Sequence, residues 1–204
     1  MRAEPLTASH STRRQRRQPS FSMSAGQMGL IVLLISLSVL FAATLLVYIF
    51  TRYENNVWRT DQVPGLPIGL FASTTMILCV SASLHRAMKA VRANQLERLE
   101  HSLMLTLLFA VGFLGGQTFN WIHMSGSQLR PNGETLYIMT FFLLTGLHAV
   151  HVLGGFIPLS VVTVRARRRD YSSSRYEGIK LCAQYWHFLA IVWLVMLTTM
   201  FVVT

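Results

Sequence analysis

Five long apolar runs alternate with shorter polar segments along most of the chain. Four of them have about 20 residues or more, which is the length an α-helix needs to cross ~30 Å of hydrocarbon at 1.5 Å per residue. The second run is the shortest. The pattern predicts an all-α integral membrane bundle of five transmembrane helices within residues 26–204, with spans at Gly29–Phe50, Ile68–Leu84, Leu103–Trp121, Leu136–Val164 and Leu181–Val203.

The first 25 residues differ from the rest because they are polar, rich in arginine and without apolar periodicity. Arg13, Arg14, Arg16 and Arg17 cluster there before Pro19. We expect residues 1–25 to form a disordered basic tail on the cytoplasmic side. A transit peptide and a twin-arginine export signal are alternatives, but the apolar run that follows is too long for a signal peptide.

Composition supports a membrane rather than an aqueous environment. Hydrophobic residues make up 52% of the chain and charged residues only 13%, with a mean hydropathy of +0.43. A soluble domain cannot bury that much apolar surface. The five predicted spans use nearly all of the 204 residues, so we expect no separate soluble catalytic domain.

The net charge of +10 is distributed unevenly between the two predicted sides of the membrane. Of the eighteen Lys and Arg residues, five lie in the tail, four in the second loop and six in the fourth, but only three in the first and third loops. Positive residues mark cytoplasmic loops, so we predict a cytoplasmic N-terminus and an outside C-terminus in a bacterial inner membrane. Topology and attraction to anionic lipids explain the charge, and we expect no nucleic-acid partner.

Acidic residues occur only in the tail and in the predicted loops, so no predicted span contains a carboxylate. Ion-coupled transporters usually keep an ionisable group at membrane depth. A solitary transporter or channel is therefore disfavoured, although histidines remain in the spans. We predict no catalytic, cofactor-binding or metal-binding residue in this chain.

Three histidines lie within the fourth and fifth predicted spans. His148 and His151 are three residues apart and share one helix face. By helix rise, His151 lies about 20 Å and His187 less than about 10 Å from the cytoplasmic boundary, so one haem between them would be badly placed. We expect them to lock helices through hydrogen bonds to neighbours or carbonyls; a membrane haem-b protein is the alternative.

Small residues punctuate the third and fourth spans, where they allow helix backbones to approach closely. Pro158, late in the fourth span, is expected to kink that helix. The positions predicted for close helix packing are Gly112, Gly115, Gly116, Gly146, Gly154 and Gly155.

Two segments resemble subunit III of the haem-copper terminal oxidases. TFFLLTGLHAVHVLGG at 140–155 is similar to the family's Thr-Gly pair followed by two histidines, and YWHFLAIVWLVML at 185–197 is similar to its final helix. FLGGQTFNW in the third span and LPIGL with SLHRAM around the second extend the likeness to about residues 28–204. Five spans match the short bacterial form of this subunit of cytochrome c and quinol oxidases.

The resemblance implies a non-redox accessory subunit of an oxygen-reducing complex. It would pack against catalytic subunit I and other subunits, which would hold the haem and copper, and it would bind phospholipid. A subunit III-like component of a nitric oxide reductase or of another respiratory complex is the alternative. The residues expected to lock helices or form subunit interfaces are His148, His151, Tyr185, Trp186, His187, Trp193, Gln117 and Asn120.

The chain departs from the family pattern where the family has carboxylates. The residues at those positions are Gly65, Asn120, Lys180, Ala190 and, in the first span, Leu37 or Ser38. The family's carboxylates are associated with support of proton uptake and with helix pairing. Their replacement here favours a scaffold role over a proton-handling one.

Overall fold

The computed structural model of the chain contains five α-helices and describes residues 24–54, 69–128, 135–173 and 175–203. The predicted tail lies almost entirely outside the described residues, as does Gly65. The five-helix prediction is confirmed by α1 (Ala25–Glu54), α2 (Gly69–Arg92), α3 (Leu96–Gln128), α4 (Thr135–Arg167) and α5 (Glu177–Val203).

Four of the helices, all except α2, contain a stretch that is long and apolar enough to cross a membrane. The 24 residues of α2 correspond to about 36 Å by helix rise, so its length also suffices. Hydroxyl side chains such as Ser73, Thr74 and Ser83, together with the basic last turn, make α2 the least apolar helix. Its Ser73 and Ser83 are buried against neighbouring helices.

The helices extend beyond the predicted spans at the end that carries most basic residues. α2 continues to Arg92 and α3 begins at Leu96, so the connection between them is only residues 93–95. The basic residues expected in the second loop therefore lie on helical turns. Buried Val91 and Leu99 explain the difference, because side-chain packing continues past the apolar run.

The ends of α2 and α4 at this side share one capping geometry. Asn94 and Arg169 have φ values of 55° and 59°, the left-handed conformation that commonly follows a helix. The next residue's amide then donates back to the helix, from Gln95 to Ala90 (2.9 Å) and from Asp170 to Arg165 (3.1 Å). These bonds satisfy carbonyl groups that the helix end leaves free.

α5 contacts α1, α2 and α4, and α4 contacts α1, α3 and α5, so these two helices lie at the centre of the described bundle. α2 and α3 form the most extensive pair, and α3 also packs on α4. Within the described residues α1 touches only α4 and α5. One apolar core joins α2, α3, α4 and α5, and a second joins α1 to α4 and α5 through Leu37, Phe41, Phe141, Leu144 and Met196.

Polar contacts connect the helices at the basic end of the bundle. The Ser24 hydroxyl donates to the Glu177 carboxylate, and Arg167 Nε lies 3.1 Å from Glu100 Oε1. The Arg92 guanidinium lies 5.9 Å from the centre of the Tyr176 ring. Because both side chains of the Arg167–Glu100 ion pair are solvent-facing, this pair stabilises by only about 0–1 kcal/mol. Their geometry nevertheless shows that α1, α3 and α5 begin where α2 and α4 end.

The orientation predicts which connections a membrane-impermeant maleimide can reach. In a background with Cys79 and Cys182 replaced by alanine, Ser173→Cys in the α4–α5 connection should react in inverted vesicles but not in intact spheroplasts. Asn132→Cys, in the predicted third loop, should show the reverse pattern. Reaction of Ser173→Cys in intact spheroplasts would contradict the proposed orientation.

Candidate functional site

The motif residues of α5 donate hydrogen bonds to the backbone of α4. Tyr185 Oη donates to the carbonyl of His151 at 2.9 Å, and Trp186 Nε1 donates to the carbonyl of Gly155 at 3.2 Å. In hydrocarbon no water competes for these groups, so a buried aromatic donor must find a protein partner. Two of the predicted locking residues thus join α5 to α4.

Gly155 makes the close approach of α5 to α4 possible. A Cβ atom at this position would lie 2.8 Å from Tyr185 Cε1 and 3.4 Å from Trp186 Cε2. α4 continues through Pro158, whose missing amide leaves the carbonyl of Gly154 without its helical donor. The indole of Trp186 therefore reaches α4 next to its one proline interruption.

Two further residues of α5 contact hydroxyl groups on α2. Trp193 Nε1 donates to Thr74 Oγ1 at 3.0 Å, and His187 Nδ1 lies 2.5 Å from Ser81 Oγ. Thr74 also donates to the carbonyl of Leu70 at 2.7 Å, so its oxygen is free to accept the indole proton. These contacts attach the most polar helix to α5.

His148 is held by aromatic rings rather than by a hydrogen bond. Its side chain is 1% exposed, and its ring centre lies 6.0 Å from those of Phe41 and Phe113 and 5.3 Å from that of Trp193. Neither ring nitrogen has a partner among the described residues. The described chain offers His148 no hydrogen bond, because the surrounding α1, α3 and α5 present rings instead of acceptors.

His151 lies one turn further along α4 and is half-buried. Its Nδ1 is 2.7 Å from the carbonyl of Leu147 on the same helix, and its ring lies 5.4 Å from Phe41. His148 and His151 therefore both contact α1, whereas His187 faces α2. Among the described residues, no three His, Cys, Asp or Glu side chains are placed to share a metal ion.

Gln117 and Asn120 are buried on the same face of α3, each with 3% exposure. Both amide atoms of Gln117 and Nδ2 of Asn120 lack partners within the described chain. Asn120 lies against Gly69, where a Cβ atom would be 2.0 Å from Asn120 Oδ1. The two amides therefore carry unused hydrogen-bonding capacity inside the bundle, near the end opposite the basic residues.

The six glycines predicted for close packing fall into three groups. Added Cβ atoms at Gly112 and Gly116 would lie 2.6 Å from Met76 Sδ and 2.9 Å from Ser73 Oγ on α2, and Gly155 is equally close to α5. Gly154 is in ordinary contact distance, 4.0 Å from Tyr185 Oη. Gly115 and Gly146 have nothing within 4 Å, because their helix faces meet no neighbour in the described chain.

The positions where carboxylates were expected are apolar or amide-bearing in the interior. Leu37 and Ala190 are 5% exposed. Ser38 instead faces outward and donates to the carbonyl of Leu34 at 2.8 Å. Lys180 lies in the first turn of α5, at the basic end. The described interior around α5 therefore holds apolar groups, amides and histidine rings.

Several interior partners were not predicted from the sequence. The Ser83 and Thr106 hydroxyls are 2.8 Å apart between α2 and α3, and Thr145 accepts from Trp121 Nε1 at 3.2 Å while donating to the carbonyl of Phe141 at 2.7 Å. The available signal was the presence of Ser and Thr within otherwise apolar runs. The predictions also omitted Thr74, Ser81, Phe41, Phe113 and Gly69.

Comparisons with known proteins cover almost the whole chain. The family described as cytochrome c oxidase subunit III has a sequence model that matches residues 14–204. The chain belongs to this family. Because its helices are also apolar and long enough, it is a multi-pass membrane protein.

Individual relatives within the subunit III family support the same assignment. The cytochrome c oxidase subunit 3 of Thermostichus vulcanus is 28% identical over 181 residues, covering 87% of each chain. That of Synechocystis sp. (strain ATCC 27184 / PCC 6803 / Kazusa) is 28% identical over 171 residues, covering 82% of this chain and 71% of the relative. That of Pylaiella littoralis is 33% identical over 147 residues, or 71% of this chain and 53% of the relative. These names do not favour the nitric oxide reductase alternative.

Gly155 and Gly146 provide a matched pair on α4 for testing close packing. Gly155→Ala should lower the free energy of unfolding by about 1–3 kcal/mol, since its Cβ meets the rigid Tyr185 ring. Gly146→Ala should be neutral or slightly stabilising, because alanine is the better helix former by about 1 kcal/mol. Detergent-denaturation curves of the full chain measure both. Equal effects would show that α5 does not press on Gly155.

The aromatic surroundings of His148 predict an unusual response to substitution. His148→Phe removes two buried nitrogens without partners, and an unsatisfied buried polar atom costs about 1–3 kcal/mol. We expect an unchanged or higher free energy of unfolding in the same assay. His151→Phe, which loses the hydrogen bond to Leu147, is the control and should not be stabilised. A large loss for His148→Phe would reveal a partner for the imidazole.

Proposed function

We propose that this chain is the non-redox accessory subunit III of a haem-copper oxidase complex that reduces oxygen in aerobic respiration. The observation that carries the proposal is that the motif residues of α5 make their hydrogen bonds within the chain itself. Tyr185, Trp186 and Trp193 each donate to a neighbouring helix of the same chain. Groups engaged in this way hold helices together, and they are not displayed toward a substrate.

A scaffold role is favoured over a role in proton uptake by the composition of the spans. No predicted span contains a carboxylate, and charged groups that serve proton pathways normally lie at membrane depth. Haem and copper would belong to the catalytic partner, which would perform the electron transfer. This chain would supply a stable surface around that partner.

Catalytic subunit I and other subunits would cover part of the apolar exterior, and lipid would cover the rest. α1 contributes the most extensive such surface, with Val32, Val39 and Leu46 each more than 60% exposed. α3 adds Leu108 and Phe119, which are 64% and 70% exposed. An exterior of this kind fits either a neighbouring transmembrane helix or acyl chains.

A groove between α1 and α4, which the first turns of α5 also line, supports the proposal that phospholipid binds to this chain. Its volume is about 530 Å³, its walls include Leu33 and Pro158, and Arg165 and Tyr171 lie at its basic end. The Tyr171 phenol is protonated at neutral pH and burial raises its pKa further, so its hydroxyl is a donor suited to a phosphate. The acyl chain would follow the apolar walls.

A bacterial inner membrane is the proposed location. The concentration of positive charge at one end of the bundle supports a cytoplasmic placement of that end.

Purification from native membranes tests the proposed function. A tagged full chain should bring down haem-containing subunits, and the preparation should consume oxygen when supplied with an electron donor. The chain expressed alone should have no Soret absorbance. A haem spectrum in the chain alone, or a solitary protein without oxidase subunits in native membranes, would overturn the proposal.

The contact between His187 and Ser81 predicts an assembly defect. His187→Ala should lower the yield of the oxidase complex. In the described residues α2 would lose one of the two side-chain hydrogen bonds that join it to α5. Turnover per haem in the complexes that do assemble should be unchanged. Thr118→Ala is a control, since the exposed Thr118 hydroxyl bonds only its own helix at Leu114. Normal yield with lost turnover would contradict a scaffold role for His187.

A further inference from the structure

A second groove lies at the basic end of the bundle, between α2 and α3, away from the hydrogen bonds that α5 makes to its neighbours. Its volume is about 610 Å³. α2 contributes Arg86 and Lys89 to its lining, and α3 contributes Arg98 and His101. Both helices therefore bring basic side chains to the same concave surface.

The groove has a charged part and an uncharged part. Ser83, Ala90 and Leu105 also line it, and these lie on α2 and α3 beside or beyond the basic side chains. Glu97 is the acidic residue of the lining, so three permanent positive charges face one negative charge. Arg98 donates to Gln95 at 2.9 Å. Within the described residues, Arg86 and Lys89 have no ion-pair partner.

We propose that this groove binds an anionic phospholipid of the cytoplasmic leaflet. The phosphate would lie between the basic side chains of α2 and α3, and an acyl chain would follow Leu105 toward the membrane interior. Arginine and lysine both bind phosphate through charge-assisted hydrogen bonds. Basic pockets between transmembrane helices on the cytoplasmic side are suited to acidic headgroups.

The combination of charge and apolar surface selects a lipid over other anions. A free phosphate would use the basic side chains and gain nothing from Leu105 and Ala90. A zwitterionic lipid would fill the apolar part but bring a positive group toward Arg86 and Lys89. The site is separate from the α1–α4 groove and does not depend on assembly with an oxidase.

Lipid titration of the purified full chain tests the proposal. Native mass spectrometry would follow binding of phosphatidylglycerol and, separately, of phosphatidylcholine. Arg86→Gln with Lys89→Gln should weaken phosphatidylglycerol binding by about thirtyfold, because each basic residue near an anionic headgroup contributes about fivefold in affinity. Phosphatidylcholine binding should not change.

Two matched variants separate the groove from general surface charge and from misfolding. Arg168→Gln with Arg175→Gln removes the same charge from the exposed α4–α5 connection and should leave phosphatidylglycerol affinity within about twofold, since these residues lie outside the groove. Arg86→Lys with Lys89→Arg keeps the charge and should retain binding. Equal losses in the two glutamine pairs, loss in the charge-preserving pair, or complete displacement by millimolar inorganic phosphate would each overturn the proposal.

Discussion

The absence of water in the hydrocarbon interior is the constraint on which this structure depends. Because no water reaches a buried indole, phenol or imidazole donor, only another group of the protein can accept its hydrogen bond. α5 meets that constraint by directing Tyr185 and Trp186 to the backbone of α4 and Trp193 to a hydroxyl of α2. Since lipid is as apolar as the helices, such contacts and close packing hold the bundle together.

Threonine has a recurring role in these contacts. Thr74 and Thr145 each donate to a carbonyl one turn earlier in their own helix and accept an indole proton from another helix. Each hydroxyl therefore donates one hydrogen bond and accepts another in the apolar interior. Glycine also contributes to the packing. Gly116 allows α2 to approach α3, and Gly155 allows α5 to approach α4.

Helix number and class were predictable because each span is long, apolar and bounded by polar residues. The helix ends were not, because the last turns of α2 and the first turns of α3 alternate exposed basic residues with buried Val91 and Leu99. An apolar run reports only the hydrocarbon-embedded part of such a helix. The tail prediction concerns residues that are almost entirely outside the described part.

The candidate site was only partly predictable for a related reason. In a helix that is apolar all round, sequence does not show which face meets a neighbour, so Gly155 and Gly146 looked alike. The partners Ser81 and Thr74 lie more than 100 residues from His187 and Trp193, a separation that local patterns do not bridge. His148 shows the same limit, because the rings that surround it come from three other helices.

The most direct test of the central claim, that side-chain hydrogen bonds from α5 hold the neighbouring helices, is a double-mutant cycle between Thr74 and Trp193. Thr74→Val and Trp193→Phe, alone and together, would be compared in the free energy of unfolding of the full chain in detergent. The account predicts a favourable coupling energy of about 0.6 kcal/mol, the average for hydrogen bonds between transmembrane helices, and no more than about 1.7 kcal/mol. Additive effects of the two substitutions would contradict it.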